Sequence, residues 1–165
     1  MPEIRSDQPL IPSVLDRLID HEPDVRREAP RSRNQLLRDL KQSVRRDLEN
    51  LLNTRVRCVP WAPELRHLKK SLVNYGLPDP TGSSPVSPKD REEFRKTIET
   101  VVRQNETRLK KLRVKLIDSP QAIDRTIRFH IDAVLLAEPA PEPISFDSTL
   151  RLADGSFEVK GDAHG

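Results

Sequence analysis

The hydrophobic positions change period once along the chain, between Gln104 and Ile117. Before the change, Phe94, Ile98, Val101 and Val102 recur at helical spacing. After it, Leu112, Val114 and Leu116 alternate with Arg113 and Lys115, the period-2 pattern of a strand with one wet face. The joint carries one carboxylate and one guanidinium, Glu106 and Arg108. Downstream the chain reads as strands, and upstream as helices and linkers.

Upstream, Val14, Leu15, Leu18 and Ile19 make a short amphipathic helix over residues 13–20, started by Pro12 and Ser13. Residues 22–31, with Pro23 and Pro30, read as a linker. The strongest helical pattern runs from Arg33 to Thr54. There Leu36, Leu37, Leu40, Val44, Leu48, Leu51 and Leu52 form one apolar stripe, and Ser32 and Asn34 are candidate caps. Residues 55–59 alternate weakly, as a short strand or an extended exit. Leu65, Leu68, Leu72 and Val73 suggest a short helix closed by Gly76, a residue suited to the left-handed position past a helix end. Ser87 caps a further helix. Pro88 sits at its first position, and Asp90, Glu92 and Glu93 lie in the acidic first turn the helix dipole favours.

Downstream, a turn at residues 118–120 follows the strand of Leu112 to Ile117. Ile127, Phe129, Ile131, Ala133 and Leu135 then define a second half-buried strand. An acidic, Pro-rich connector spans 138–143. Residues 144–152 and 157–159 flank Asp154-Gly155, a two-residue hairpin signal. The predicted fold class is α+β: N-terminal helices, then a helix and a small, mainly antiparallel sheet of about four strands. Residues 1–31 form a tail with a short helix and linker, 32–160 the α+β domain, and 161–165 a C-terminal tail.

Composition narrows the chemistry. Hydrophobic residues are 35% and charged residues 33% of 165, which predicts a modest core under large wet faces. The net charge is only +3, but Arg and Lys crowd residues 26–57 and 103–115. Cys58 stands alone, so no intramolecular disulfide forms, and the default expectation is a soluble cytoplasmic protein with no membrane insertion. The four histidines are scattered, without a second His or Cys at ligand spacing, so no metal or cofactor is expected. Gly is too rare for a phosphate-cradling loop. A paired-carboxylate enzyme is poorly supplied: Glu106 has Arg108 two residues away, and an acid paired with a guanidinium is a poor general acid at neutral pH. Arg108, Lys110, Lys111, Arg113 and Lys115 make a basic edge, but strand alternation divides it. With one Trp and one Tyr, base readout lacks support, so no nucleic-acid partner is expected.

Several short motifs carry a family resemblance over residues 13–159. They include Ser13-Val14-Leu15-Asp16-Arg17-Leu18, Ser43-Val44-Arg45-Arg46-Asp47-Leu48-Glu49, Leu51-Leu52-Asn53-Thr54-Arg55 and Asn74-Tyr75-Gly76-Leu77-Pro78-Asp79. Glu142-Pro143-Ile144-Ser145-Phe146-Asp147 and the closing hairpin continue them. Together they resemble the TssE family, the baseplate wedge subunits of type VI secretion systems, within the small wedge proteins of contractile phage tails once labelled lysozyme-related. The family's Glu-Pro-Arg signature reads Glu106-Thr107-Arg108 here. The charges match, but Thr does not fix φ as Pro does.

The resemblance implies a non-enzymatic structural role. Its partners would be the baseplate proteins TssF, TssG and TssK and the sheath proteins TssB and TssC, on an apparatus anchored at the inner membrane. Glu106, Arg108, Lys110, Lys111 and Arg113 would be protein-interaction residues. A local pair that only stabilises the turn is the plainer reading of Glu106 and Arg108. A sheet edge open to strand addition fits the same role. An anti-adaptor of the same fold and a peptidoglycan-cleaving enzyme are the alternatives.

Overall fold

The computed structural model describes residues 10, 12–19, 23–24, 32–57, 62, 64–65, 67–68, 71–79, 87–117, 126–137 and 140–161. Cys58, the turn at 118–120, most of the two tails and much of the proline-rich linkers lie outside them.

The helices follow their caps. Helix α1 spans Val14–Leu18, with the Ser13 side chain accepting from the Asp16 amide. Helix α2, Arg33–Asn53, starts from a reciprocal box: Ser32 Oγ accepts from the Gln35 amide, and the Gln35 side chain accepts from the Ser32 amide. Helix α3, Pro88–Asn105, starts in the same way from Ser87 and Asp90, with Pro88 where a missing amide costs nothing. The leucine stripe of α2 buries Leu40, Val44, Leu48, Leu51 and Leu52. The apolar stripe of α3 buries Ile98 and Val102.

The α+β class holds. Four strands, β1 (Leu109–Ile117), β2 (Thr126–Leu135), β3 (Glu142–Arg151) and β4 (Phe157–Gly161), form one antiparallel sheet in sequence order. Its apolar face packs on the helices. Phe94 of α3 meets Phe129 of β2 and Phe157 of β4, with ring centroids 6.1–6.4 Å apart. Phe129, Ile131, Leu135, Phe146 and Leu150 are fully or nearly fully buried there.

Four details differ from the sequence reading. β1 begins at Leu109, not Leu112. The register shifts between Lys110 and Arg113, and Lys111 takes a positive φ of 51°. This bulge lets Leu109 and Leu112, three apart, both face the core, which strict alternation forbids. The β3–β4 hairpin is not a two-residue turn: Arg151 and Ser156 close it, and Gly155 (φ 68°) is the last residue of the loop between them. β3 starts at Glu142 and so includes Pro143. That proline lies past the end of β4, which stops opposite Phe146, where no neighbouring strand needs its missing N–H. Lastly, the expected helix near residue 70 is a 3-10 turn, Leu72–Asn74, with Leu72 88% exposed. Gly76 does have a positive φ (114°), but the tighter constraint is steric: a Cβ there would sit 2.4 Å from the Thr54 carbonyl oxygen.

The sheet edges are not open along their middles. On β4, Arg45 donates to the Val159 carbonyl (3.0 Å), and Glu49 accepts from the Val159 amide (3.5 Å). Asn53 both donates to and accepts from the Phe157 backbone, at 2.9 and 2.8 Å. On β1, Arg95 donates to the Val114 carbonyl (2.9 Å), Glu99 accepts from the Val114 amide (3.5 Å), and Arg103 donates to the Leu112 carbonyl (3.4 Å). Each helix thus lays a ladder of side chains at i, i+4 and i+8 along an edge strand, in the place another strand would take.

Candidate functional site

Helix α3 ends where Glu106 becomes its C-cap, the Glu106 amide still donating to the Val102 carbonyl. The next two residues turn the chain into β1. Arg108 folds back on Glu106: its amide (3.1 Å) and Nε (2.8 Å) both donate to Oε1, and Nη2 donates to Oε2. Leu136, just past β2, donates to the Arg108 carbonyl at 2.8 Å. None of these contacts uses Thr107, which is exposed. The rigidity a proline would lend is supplied by the fork between its neighbours.

Arg108 also reaches α2. Nη2 donates to Asp47 Oδ2 at 2.6 Å, and Nη1 lies 3.4 Å from Ser43 Oγ. From there the network runs on to the N-terminal helix. Arg46 donates to Asp47 at 3.3–3.4 Å and to Asp16 at 2.7 Å, while the Ser43 hydroxyl donates to Asp16 at 2.7 Å. Positions 43, 46 and 47 lie at i, i+3 and i+4 on α2, so one face of one helix serves both ends. Asp16 is the polar foot of α1, whose apolar residues Val14, Leu15 and Leu18 are all more than half exposed.

The electrostatics match this wiring. Glu106 is buried, 7% exposed. Arg108 is driven further toward its charged form by its hydrogen bond to Glu106, against burial and with help from Asp47. Burial pushes the Asp16 carboxyl up, but hydrogen bonds from Ser13, Ser43 and Arg46 outweigh it and bring its pKa down to about 2. The Tyr75 hydroxyl is pushed up by burial and by the negative charges of Asp47 and Glu106.

The structure divides the five residues singled out in the sequence. Glu106 and Arg108 come together in the corner. Lys110 and Lys111 sit at the β1 bulge and Arg113 beyond it, all three exposed, with side chains that make no hydrogen bond or ion pair to a described residue. Arg113 and Lys115 share the wet face, where Lys115 pairs with Asp132 at 2.8 Å. The sequence reading missed the roles of Asp16, Ser43, Arg46 and Asp47. A signal existed for two of them: Ser43 and Asp47 flank Val44 and Leu48, so they border the buried stripe.

Other chemistry is sparse. Among the described residues no group of three or more His, Cys, Asp or Glu is placed to hold a metal. His130 lies between Asp132 (3.0 Å) and Asp147 (2.6 Å) on the wet face of the sheet, and its hydrogen bond to Asp147 leads the upward push on its pKa. A groove of about 790 Å³ between α1 and α2 is lined by Pro12, Asp16, Ile19, Leu36, Leu40 and Arg46, among others. No helix among the described residues is long and apolar enough to cross a membrane.

The arrangement defines a small α+β module in which the candidate site is an ion-paired corner beside a basic strand. Residues 38–140, most of the chain, match the baseplate wedge protein gp25 family, and the chain belongs to it. The match takes in most of α2, all of α3, the corner, β1 and β2. Membership makes the protein a structural component of a baseplate, one that contacts other baseplate proteins. No curated protein matches the chain.

Proposed function

We propose that the chain is a TssE-type wedge subunit of a type VI secretion baseplate. In this reading it works in the cytoplasm, on an apparatus anchored at the inner membrane. It docks on TssF, TssG and TssK and carries the first ring of the TssB–TssC sheath. It is not an enzyme.

The observation that supports this is the corner. The two charges that match the family signature lie in a hydrogen-bonded, partly buried turn, and three cations whose side chains have no ion-pair partner among the described residues follow within five residues. Arg108 and Asp47 keep 25% and 29% of their side chains exposed, so a partner reaches the rim of the cluster without opening it. The corner supplies shape and register, and Lys110, Lys111 and Arg113 supply attraction for an acidic patch.

Co-purification with TssF and TssG tests the reading. Lys110→Glu, Lys111→Glu and Arg113→Glu combined should leave the chain folded and cut retention by the wedge at least tenfold. Full retention by that folded triple variant would remove the basic strand from the docking surface. Full retention by a folded Arg108→Glu variant as well would remove the corner.

A further inference from the structure

The face of the sheet turned away from the helices carries a row of charges that neither the core nor the corner uses. By register Lys115, His130, Asp147 and Lys160 stand side by side on β1, β2, β3 and β4. His130 is the centre of the row. Its Nδ1 lies 2.6 Å from Asp147 Oδ1, and its Nε2 lies 3.0 Å from Asp132 Oδ1. A neutral imidazole has one N–H and one lone pair, so it satisfies only one of these carboxylates; the cation satisfies both. The two acids do not depend on it equally. Asp132 also accepts from Lys115, at 2.8 Å. Asp147 has no second side-chain partner among the described residues, and its side chain is 67% exposed. Lys160, across from it on β4, is turned to Glu158 at 3.3 Å. Loss of the His130 proton therefore removes a positive charge and releases a carboxylate in the middle of the face.

The surroundings of the row are cationic. Asp132, Asp147 and Glu158, the acids of this face, are each held by a cation of the same face. Lys110 and Arg113 fall on it too, opposite Val134 and Asp132, and Arg128 lies opposite Thr149. The side chains of Lys110, Arg113 and Arg128 hold no acid among the described residues. The basic strand is thus the margin of a broader face, with Val134 and Pro143 paired at its apolar end. None of its described residues is Phe, Tyr or Trp, so a base has no ring to stack on, and the interleaved acids repel a continuous phosphate backbone. A protein surface with discrete acids meets neither obstacle.

We propose that this face is a docking surface for an acidic patch of a partner protein, and that the charge on His130 gates it, admitting the acid when protonated and opposing it when neutral. The wedge-subunit reading supplies only the partner's identity. The hydrogen bond to Asp147 raises the His130 pKa above its ordinary 6.5, so the gate closes as pH rises through that raised value.

The test uses the full chain and a capped glutamate peptide of about ten residues, ionised throughout the range from about pH 6 to about pH 9. NMR locates the contact, and titration gives the affinity. At the acid end the peptide should shift the amides of Arg113, Arg128 and Asp147 and leave those of α2 unchanged. It should bind there about fivefold more tightly than at the alkaline end. His130→Gln should bind at the weaker level throughout, while His67→Gln should keep the pH dependence. Arg128→Ala should weaken the peptide, whereas Arg38→Ala, which removes the same charge from an exposed position of α2, should not. No binding at the acid end, a pH dependence that survives His130→Gln, or equal losses from the two arginine variants would each overturn the proposal. So would a short DNA duplex that shifts the same amides at lower concentration, which would make the ligand a nucleic acid. None of these variants touches the strip or the corner, so failure here and failure of the co-purification test are distinguishable.

Discussion

Glu106 is 7% exposed, and its carboxylate meets Arg108 through three donors. Lys110, Lys111 and Arg113, a few residues on, are exposed and touch no counter-charge among the described residues. In sequence the five form one charged run. In the fold they stand in two different environments. A partly buried ion pair with its remaining atoms hydrogen-bonded fixes geometry, and losing one member strands the other. Unpaired surface cations contribute almost nothing to stability and keep their charge for a partner. A single run of charges can therefore be half skeleton and half free surface, and the burial of each member separates the two.

The largest effect should come from breaking the skeleton. Arg108→Ala leaves Glu106 buried and unpaired and removes the tie to Asp47, and should cost about 3 kcal/mol in urea denaturation. A loss under about 1 kcal/mol would mean that the corner is as dispensable as the strip. Asp47→Asn, which weakens only the tie to α2, should cost about 1 kcal/mol. The N-terminal end of the network should respond locally. The Asp16 pKa, near 2, lies below its ordinary 3.8, so its contribution is fully present above about pH 4 and lost as pH falls toward 2. Over that window NMR shifts of α1 should move before those of the sheet; simultaneous change would mean that α1 is held by something other than Asp16. The smallest effect belongs to the strip. Lys110→Glu with Lys111→Glu should change stability by less than about 0.5 kcal/mol, and a larger loss would make the strip structural too.

The sequence revealed most where one local rule governed. Ser87, Pro88 and Asp90 announced the start of α3, and the alternation from Ile127 to Leu135 announced β2, because capping and pleating act over a few residues. It misled where two rules competed. Leu109-Lys110-Lys111-Leu112 breaks the strand period, since a bulge lets two leucines three apart share a face. Asp154-Gly155 looked like a two-residue turn, yet Gly155 serves a longer loop closed by Arg151 and Ser156. It was silent where the third dimension decides. Arg45 and Glu49, or Arg95 and Glu99, read as ordinary i, i+4 surface pairs until a strand edge lies beside them. The pairing of Glu106 with Arg108 could be suspected from their spacing, but the participation of Asp47, some sixty positions earlier, could not.

The parallel bridge between Arg55 and Leu77 has a practical side. The Leu77 amide donates to the Thr54 carbonyl and the Val56 amide to the Leu77 carbonyl, so the chain leaves α2 and comes back at a single clasp. Gly76 is what lets the two backbones touch. The clasp pins both ends of the intervening segment at the end of α2. Lengthening an excursion whose ends are already pinned adds little closure entropy. That makes the excursion the natural place to graft an epitope or a fluorophore for following the subunit during assembly, with the corner and both sealed edges left as they are.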